Sequence, residues 1–130
     1  MNVPDDLLYT KDHEWVRREG AAARIGITDY AQGQLGDIVY VDLPAVGSTI
    51  EAGVEFGTVE SVKAVSEIFA PITGDVLEVN EVLRDSAETV NGDPYGDGWI
   101  VRIKPTVPIE IGDLMDAAAY RKHLETAEKH

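Results

Sequence analysis

The chain has 130 residues, with 24 acidic against 11 basic side chains, a formal net charge of -13 and no cysteine. This length suits one domain, and a hydrophobic content of 44% is enough to build a buried core. The charge disfavours nucleic acid and anionic membranes as partners, because both bind basic patches, and the missing cysteines exclude a disulfide framework, a thiol metal site and a thiol nucleophile.

The polar start of the chain, residues 1–6, has no basic segment leading into an apolar one, so it is unlike a secretory signal. It is also not rich in Arg and Ser, as a transit peptide would be. The longest apolar run is shorter than a membrane span. We therefore expect a cytoplasmic protein, with a processed mitochondrial form as the alternative.

The first part of the chain predicts a hairpin followed by a short helix. Residues 9–16 alternate aromatic and polar side chains, and 22–27 form a second extended run after a turn near a glycine. Thr28 or Asp29 can cap a short helix, and Gly36 lies just past its expected end.

The middle of the chain predicts a set of short strands. The Val- and Ile-rich runs are 37–43, 54–62, 67–72, 76–80 and 99–104. Gly, Pro, Asn and Asp fall between them at spacings that suit an all-β barrel or sandwich, and no helical period is visible here.

The end of the chain predicts a helix that packs on this β core. Asp116 can cap a helix over 117–127. One stripe of that helix contains Ala117, Tyr120, Leu124 and Ala127. The expected organisation is a single domain, 1–130, with a β core over about 8–104 and a C-terminal helical segment over about 113–128.

One internal similarity relates two of the predicted strands. Residues 36–39, Gly-Asp-Ile-Val, match 74–77, Gly-Asp-Val-Leu, at an offset of 38. The match arises either by chance among Val-rich strands or from two related halves of a barrel. In the second case Lys63 lies on a hairpin that joins the halves.

Lys63 is also singled out by the distribution of charge. From Ile25 to Leu83 it is the only basic residue, in a stretch that contains ten acidic residues. It is either an incidental surface residue or a lysine selected for acylation, which neutralises the amine and attaches a group to a flexible stem. Residues 61–64, Ser-Val-Lys-Ala, are short enough for a tight turn between extended runs, and Gly74 permits a sharp bend further on.

No motif for independent catalysis accompanies this lysine. His123 lies on the predicted helix and His130 is the last residue, while His13 beside Glu14 is weak support for a metal site or an acid–base pair. The glycines lack the Lys-Ser/Thr partner of a phosphate loop, and there is no Gly-x-Ser-x-Gly motif. We therefore predict a non-catalytic protein without a metal.

The residues around Lys63 resemble a known family. Residues 60–64, Glu-Ser-Val-Lys-Ala, followed by 70–74, Ala-Pro-Ile-Thr-Gly, are similar to the lipoyl-lysine segment of the glycine cleavage H-protein family. Four further segments resemble other blocks of this family. They are 13–16 (His-Glu-Trp-Val), 26–31 (Gly-Ile-Thr-Asp-Tyr-Ala), 35–39 (Leu-Gly-Asp-Ile-Val) and 91–99, which contains Pro-Tyr and Gly-Trp. The resemblance extends over about 8–104.

The resemblance implies a mainly β hybrid of barrel and sandwich, with a short internal helix and a C-terminal helix. It implies that Lys63 carries lipoic acid in amide linkage. The carrier would take an aminomethyl group from a pyridoxal-phosphate-dependent glycine decarboxylase to an aminomethyltransferase, which passes the carbon to tetrahydrofolate. Dihydrolipoyl dehydrogenase would then reoxidise the arm. A chain without cysteine cannot form a mixed disulfide with its own arm. We expect a monomer that visits these enzymes in turn.

Further residues acquire roles by the same resemblance. Glu14 matches the glutamate that is implied to contact the aminomethyl-loaded arm in this family, and Glu67 occupies a position where the family often has aspartate. The alternative is that both are solvated acids on strand faces. The residues expected to be recognised by lipoate-attaching enzymes are Glu60, Ser61, Val62 and Ala64. The wider acidic surface would steer basic partners, or would serve solubility alone.

Several alternatives remain open at this stage. A biotin carrier domain resembles Met-Lys-Met at the turn, where this chain has Val62 and Ala64. Lipoyl domains of 2-oxoacid dehydrogenases more often have Asp-Lys-Ala, are shorter and lack the C-terminal helix. A lipoyl relay protein that donates lipoate to other enzymes, and an interaction module whose lysine is never modified, also fit. A hydrolase or metalloenzyme has no supporting residues.

Overall fold

The computed structural model describes residues 2–106 and 114–128, and over these ranges the chain is mainly β. The elements follow in the order β1 (Leu8–Tyr9), β2 (Glu14–Glu19), β3 (Ala22–Ile27), α1 (Asp29–Leu35), β4 (Ile38–Asp42), β5 (Thr49–Ile50), β6 (Glu55–Ser61), β7 (Val65–Phe69), β8 (Gly74–Val79), α2 (Val82–Asp85), α3 (Thr89–Gly92), β9 (Val101–Pro105) and α4 (Ala117–Glu128). No helix in the described ranges is long and apolar enough to cross a membrane.

The strands form two antiparallel sheets. One has six strands in the order β1-β2-β3-β9-β8-β5, and the other has three in the order β4-β6-β7. Val59 from the small sheet and Ile25 and Ile103 from the large sheet are fully buried in one apolar cluster between them. This arrangement confirms the predicted hybrid of barrel and sandwich.

The predicted N-terminal hairpin is present as β2 and β3, paired from Glu14 opposite Ile27 to Glu19 opposite Ala22. The extended run predicted over 9–16 is interrupted, because residues 10–13 form a turn and His13 has a positive φ of 69°. The alternation of aromatic and polar side chains concealed this turn, which folds β1 back on β2.

Both predicted helix caps are present. The Thr28 hydroxyl accepts a hydrogen bond from the Ala31 N–H at 3.2 Å, and Gly36 follows α1 with a φ of 80°. The Asp116 carboxylate accepts from the Ala119 N–H at 2.8 Å at the start of α4. On α4, the buried stripe contains Ala117, Tyr120 and Leu124. The side chain of Ala127, the fourth predicted member, lies outside the described part of the chain, as do residue 113 and His130.

Two short helices in the described middle region were not predicted, because this region shows no helical period. α2 and α3 have four residues each and bury Leu83 and Val90. A single turn is too short to show a helical period, so periodicity could not reveal them. The strand predicted over 67–72 is also shifted, since β7 starts at Val65 and ends at Phe69, two residues before Pro71.

The two similar Gly-Asp segments fall in different sheets. The first precedes and begins β4 in the small sheet, and the second begins β8 in the large sheet. Lys63 lies between them in sequence, in the loop that joins β6 to β7.

Candidate functional site at the Lys63 hairpin

Lys63 lies exposed at the tip of the β6–β7 hairpin, where Glu60 pairs with Val65. Ser61 closes the turn: its N–H donates to the Ala64 carbonyl at 2.8 Å, and its hydroxyl accepts from the Ala64 N–H at 3.0 Å and the Lys63 N–H at 3.3 Å. The turn therefore fixes the backbone of Lys63 and leaves its amine in solvent.

The hairpin tip rests on the segment that links α1 to β4, residues 36–38, which we call the platform segment. The Val62 N–H donates to the Asp37 carbonyl at 3.1 Å, and Ile38 pairs with Ser61. The stem of Lys63 lies over Gly36, where an added Cβ would sit 3.3 Å from the lysine Cε. Gly36 serves both this close approach and its positive φ.

The solvent side of the small sheet carries an acidic surface beside Lys63. Across the strands, Tyr40, Glu60 and Val65 form one row, and the next row contains Asp42 and Glu67. Val65 is 65% exposed, and Val62, on the other side of the turn, is 71% exposed. We call Asp42, Glu60 and Glu67 the acidic face; it combines negative charge with exposed apolar side chains.

Glu14 lies in a different environment, at the start of β2, where only 2% of the residue is exposed. One carboxylate oxygen accepts from the Thr10 hydroxyl at 2.6 Å, and the other accepts from the Phe69 N–H at 3.4 Å. It faces a cleft of about 480 Å³ whose lining includes Phe69, Pro71 and Met115. Burial raises the pKa of the Glu14 carboxyl to about 7, against a smaller lowering effect of the hydrogen bond from Thr10.

Strand β7 connects the Lys63 turn to the Glu14 cleft. It starts two residues after Lys63 and ends at Phe69, whose N–H reaches Glu14. Lys63 lies six residues before Phe69, so strand geometry allows up to about 20 Å between their Cα atoms. An extended lysine side chain lengthened by an eight-carbon acyl group would cover most of this distance. Val65, Glu67 and Phe69 share the outer side of this strand, because side chains alternate along it. A lipoyl group on Lys63 would therefore be directed along this side of the strand toward the Glu14 cleft.

Glu67 and His13 differ from Glu14 in their surroundings. Glu67 is exposed on the acidic face and is not among the residues that line the cleft. The His13 ring turns to α4, with its Nδ1 2.7 Å from the Tyr120 hydroxyl, so it forms no pair with Glu14. Burial lowers the pKa of His13, and nearby His123 lowers it further. Across residues 2–106 and 114–128, no group of three or more His, Asp or Glu side chains could hold a metal ion.

Sequence reasoning missed three residues that the geometry brings to this region. Thr10 holds the Glu14 carboxylate from four residues upstream. Asp37 anchors the hairpin through its carbonyl, a backbone contact with no side-chain signal. Asn91 contacts the platform segment through its side chain. Asn91 lies in the block 91–99 that resembles the family, so the sequence marked this region but did not indicate a role for Asn91.

Comparison with known proteins agrees with this geometry. The sequence profile of a family described as Glycine cleavage H-protein matches residues 7–127. The chain belongs to the glycine cleavage H-protein family. It is therefore a carrier component of the glycine cleavage system and not one of its catalysts.

Individual members of the family are similar over almost the whole chain. The glycine cleavage system H protein of Anaeromyxobacter sp. (strain K) is 56% identical over 128 residues, which cover 98% of this chain and 100% of that protein. The H protein of Bacteroides thetaiotaomicron is 55% identical over 121 residues, or 93% of this chain and 96% of that one.

A solved structure shows the same fold. The crystal structure of a glycine cleavage system H protein from Mycobacterium marinum has a TM-score of 0.87 and 42% sequence identity, and covers 95% of this chain and 99% of that chain. Membership of the H-protein family argues against the biotin-carrier and 2-oxoacid dehydrogenase alternatives, because the match extends through the C-terminal helix.

Proposed function

We propose that this chain carries lipoic acid on Lys63 and shuttles an aminomethyl group from glycine decarboxylase to aminomethyltransferase, with dihydrolipoyl dehydrogenase restoring the arm. One observation carries the proposal. Lys63, the only basic residue between Ile25 and Leu83, is exposed at a hairpin tip whose backbone is fixed by Ser61. Within a family of carriers, an exposed amine on a fixed turn is well presented for modification.

Attachment requires little of the chain beyond presentation of the amine. A lipoate-attaching enzyme supplies an activated acyl group; the Lys63 Nζ forms an amide bond with its carbonyl carbon, the activating group departs and the nitrogen loses a proton. When bound, the lipoyl group supplies a disulfide that accepts the one-carbon cargo and two electrons. The chain contributes the fixed turn at 61–64, which places the Nζ outside the sheet.

Recognition by the attaching enzyme is proposed to use the exposed part of this turn. Val62 is exposed and Glu60 belongs to the acidic face, so both can contact a partner directly. Ser61 and Ala64 are paired with each other through the turn and contribute its shape. The acidic face steers partners with basic surfaces, and raising the ionic strength slows such an encounter.

Glu14 is proposed to hold the cationic amine of the cargo once the arm reaches the cleft. The carboxylate is oriented by Thr10 and by the backbone of Phe69, and part of the cleft lining is apolar. A cation beside the carboxylate favours its charged form, so arrival of the amine displaces the proton that burial retains. Glu67, on the outer side of β7, is proposed as a second contact along the route.

The test compares the parent with Lys63→Arg, which keeps the positive charge but cannot accept the acyl group. Both proteins are produced with a lipoate-attaching enzyme and digested, and the lipoyl mass increment is located by mass spectrometry. We expect it on the Lys63 peptide of the parent alone, together with glycine-dependent exchange of carbon dioxide when glycine decarboxylase is added.

Two results would contradict the proposal. Exchange that proceeds normally with Lys63→Arg would remove the need for a modified lysine. A parent that donates its lipoyl group to other apo-proteins but supports no glycine-dependent exchange would point to the relay function instead.

A further inference from the structure

We propose that Asn91 is a positioning residue for the modification of Lys63. From α3, it fixes the platform segment on which the lysine hairpin rests. This inference depends on the proposed function, because it takes Lys63 to be the modified residue. It assigns a role to a side chain that does not touch the lysine itself.

The Asn91 amide forms three hydrogen bonds to the region before β4. Its Oδ1 accepts from the Ile38 N–H at 2.9 Å, and its Nδ2 donates to the Gly36 carbonyl at 2.8 Å and to the Gln32 Oε1 at 2.9 Å. One side chain therefore ties α3 to the end of α1 and to the start of β4.

The pair of bonds at Gly36 and Ile38 copies a backbone interaction. A parallel strand beside residue 37 would donate to the carbonyl of the preceding residue and accept from the N–H of the following one. The Asn91 side chain makes both bonds at the edge of the small sheet, where no strand of the described residues lies beside β4 on that side. An amide group has the adjacent donor and acceptor that these two positions require, whereas a carboxylate has acceptors alone.

The opposite side of the same segment holds the hairpin. The Asp37 carbonyl accepts from the Val62 N–H, and the Lys63 stem lies on Gly36. The distance between an added Cβ at Gly36 and the Lys63 Nζ would be 3.9 Å, so the segment and the lysine stem are in close contact. A displacement of the platform segment therefore moves both the Asp37 carbonyl, which anchors the hairpin, and Gly36, on which the Lys63 stem lies.

Asn80 provides a matched control for general loss of stability. It is buried at the end of β8, and its Nδ2 donates to the carbonyls of Asp97 and Trp99, both at 2.7 Å. Asn80→Asp and Asn91→Asp each remove two amide donations and place a carboxylate against carbonyl oxygens. Only the change at Asn91 affects the platform segment.

The experiment uses the unmodified full chain, a purified lipoate–protein ligase, lipoic acid and ATP. Initial rates of lipoyl attachment, followed by intact mass over a range of carrier concentrations, give kcat and KM for the parent and both variants. Hydrogen exchange of the Val62 amide is measured in the same samples. All measurements are made below the unfolding temperature of the least stable protein.

We expect Asn91→Asp to lower kcat/KM by about tenfold or more, because small displacements of a reacting group are costly, and to speed exchange at Val62. Asn80→Asp should retain the parent kcat/KM within about twofold, although it also unfolds at a lower temperature. Should Asn91→Asp fail to fold, Asn91→Ser and Asn80→Ser are compared by the same ratio.

The results separate this inference from the proposed function. A parent that is not lipoylated at Lys63 refutes the proposed function. A lipoylated parent with an equally reactive Asn91 variant overturns the positioning role alone. Equal losses in the Asn91 and Asn80 variants also overturn it, because they would show an effect of stability and not of position.

Discussion

Replacement of Glu14 by glutamine should stabilise the chain progressively as the pH rises from about 4.5 to 7. The carboxyl group has an ordinary pKa of 4.5, and burial raises it to about 7 in the folded chain. The folded state therefore retains a proton that the unfolded state has already released. The contribution of this group is fully present below pH 4.5 and is lost as the pH rises through about 7.

The size of the effect follows from the same two values. Each tenfold change in a proton equilibrium is worth about 1.4 kcal/mol, so the interval between 4.5 and about 7 corresponds to about 3 kcal/mol. Glutamine has no such titration. Its amide has one acceptor oxygen where the carboxylate has two, for Thr10 and for Phe69, and this loss adds a cost that does not depend on pH. The slope with pH, and not the absolute difference, is therefore the quantity to measure.

The assay is urea unfolding of the unmodified chain at several pH values between 4.5 and 7.5. Subtracting the parent from Glu14→Gln cancels the other acidic residues, and Glu67→Gln controls for removal of one negative charge from a strongly acidic chain. The free-energy difference should grow by about 3 kcal/mol for Glu14→Gln, and Glu67→Gln gives the reference for losing one exposed negative charge. A Glu14→Gln difference that is constant to within about 1 kcal/mol would refute the reasoning.

Two further predictions concern the packing that places Glu14 and α4. Gly26→Ala should lower the free energy of unfolding by about 1–3 kcal/mol, since its Cβ would lie 2.6 Å from the Trp15 ring, which is fully buried. Gly33→Ala in α1, with no atom within 4 Å of its Cβ, should be neutral or stabilising in the same urea unfolding assay, and equal losses at both glycines would contradict the argument. Tyr120→Phe should cost about 1–3 kcal/mol in urea unfolding, because the hydroxyl lies 2.7 Å from both Thr28 and His13 and its loss leaves buried Thr28 without this partner. An unchanged unfolding midpoint would show that this bond adds nothing.

The local features of this fold could be predicted because their signals lie within a few residues. Thr28 and Gly36 bound α1 through the chemistry of a hydroxyl cap and a positive φ. Ser-Val-Lys-Ala at 61–64 predicted a turn, and the turn holds Lys63 at its tip. The division of strands into two sheets was not predictable in the same way, since β3 pairs with β9 across most of the chain.

The residues of the candidate site also divide into those with a local sequence signal and those whose role depends on long-range contacts. The resemblance drew attention to Glu14, but its burial depends on packing against Phe69, which is 55 residues away. The contacts of Asn91 span 53 to 59 residues. Such contacts depend on how elements meet, and no periodicity or spacing along one segment encodes them. The short helix that bears Asn91 was missed for the related reason that one turn has no period.

Strand β7 joins the lysine turn to the Glu14 cleft by a short, rigid stretch of backbone. Under the proposed function, a cargo carried on Lys63 would be a tethered ligand, confined to a small volume that includes the Glu14 carboxylate. For a short flexible tether, the effective concentration is in the millimolar range or above. A contact whose intrinsic dissociation constant is itself only millimolar is enough to shelter the cargo for much of the time. That contact is also weak enough for a partner enzyme to withdraw the cargo with a modestly stronger site, so the carrier combines protection with ready release.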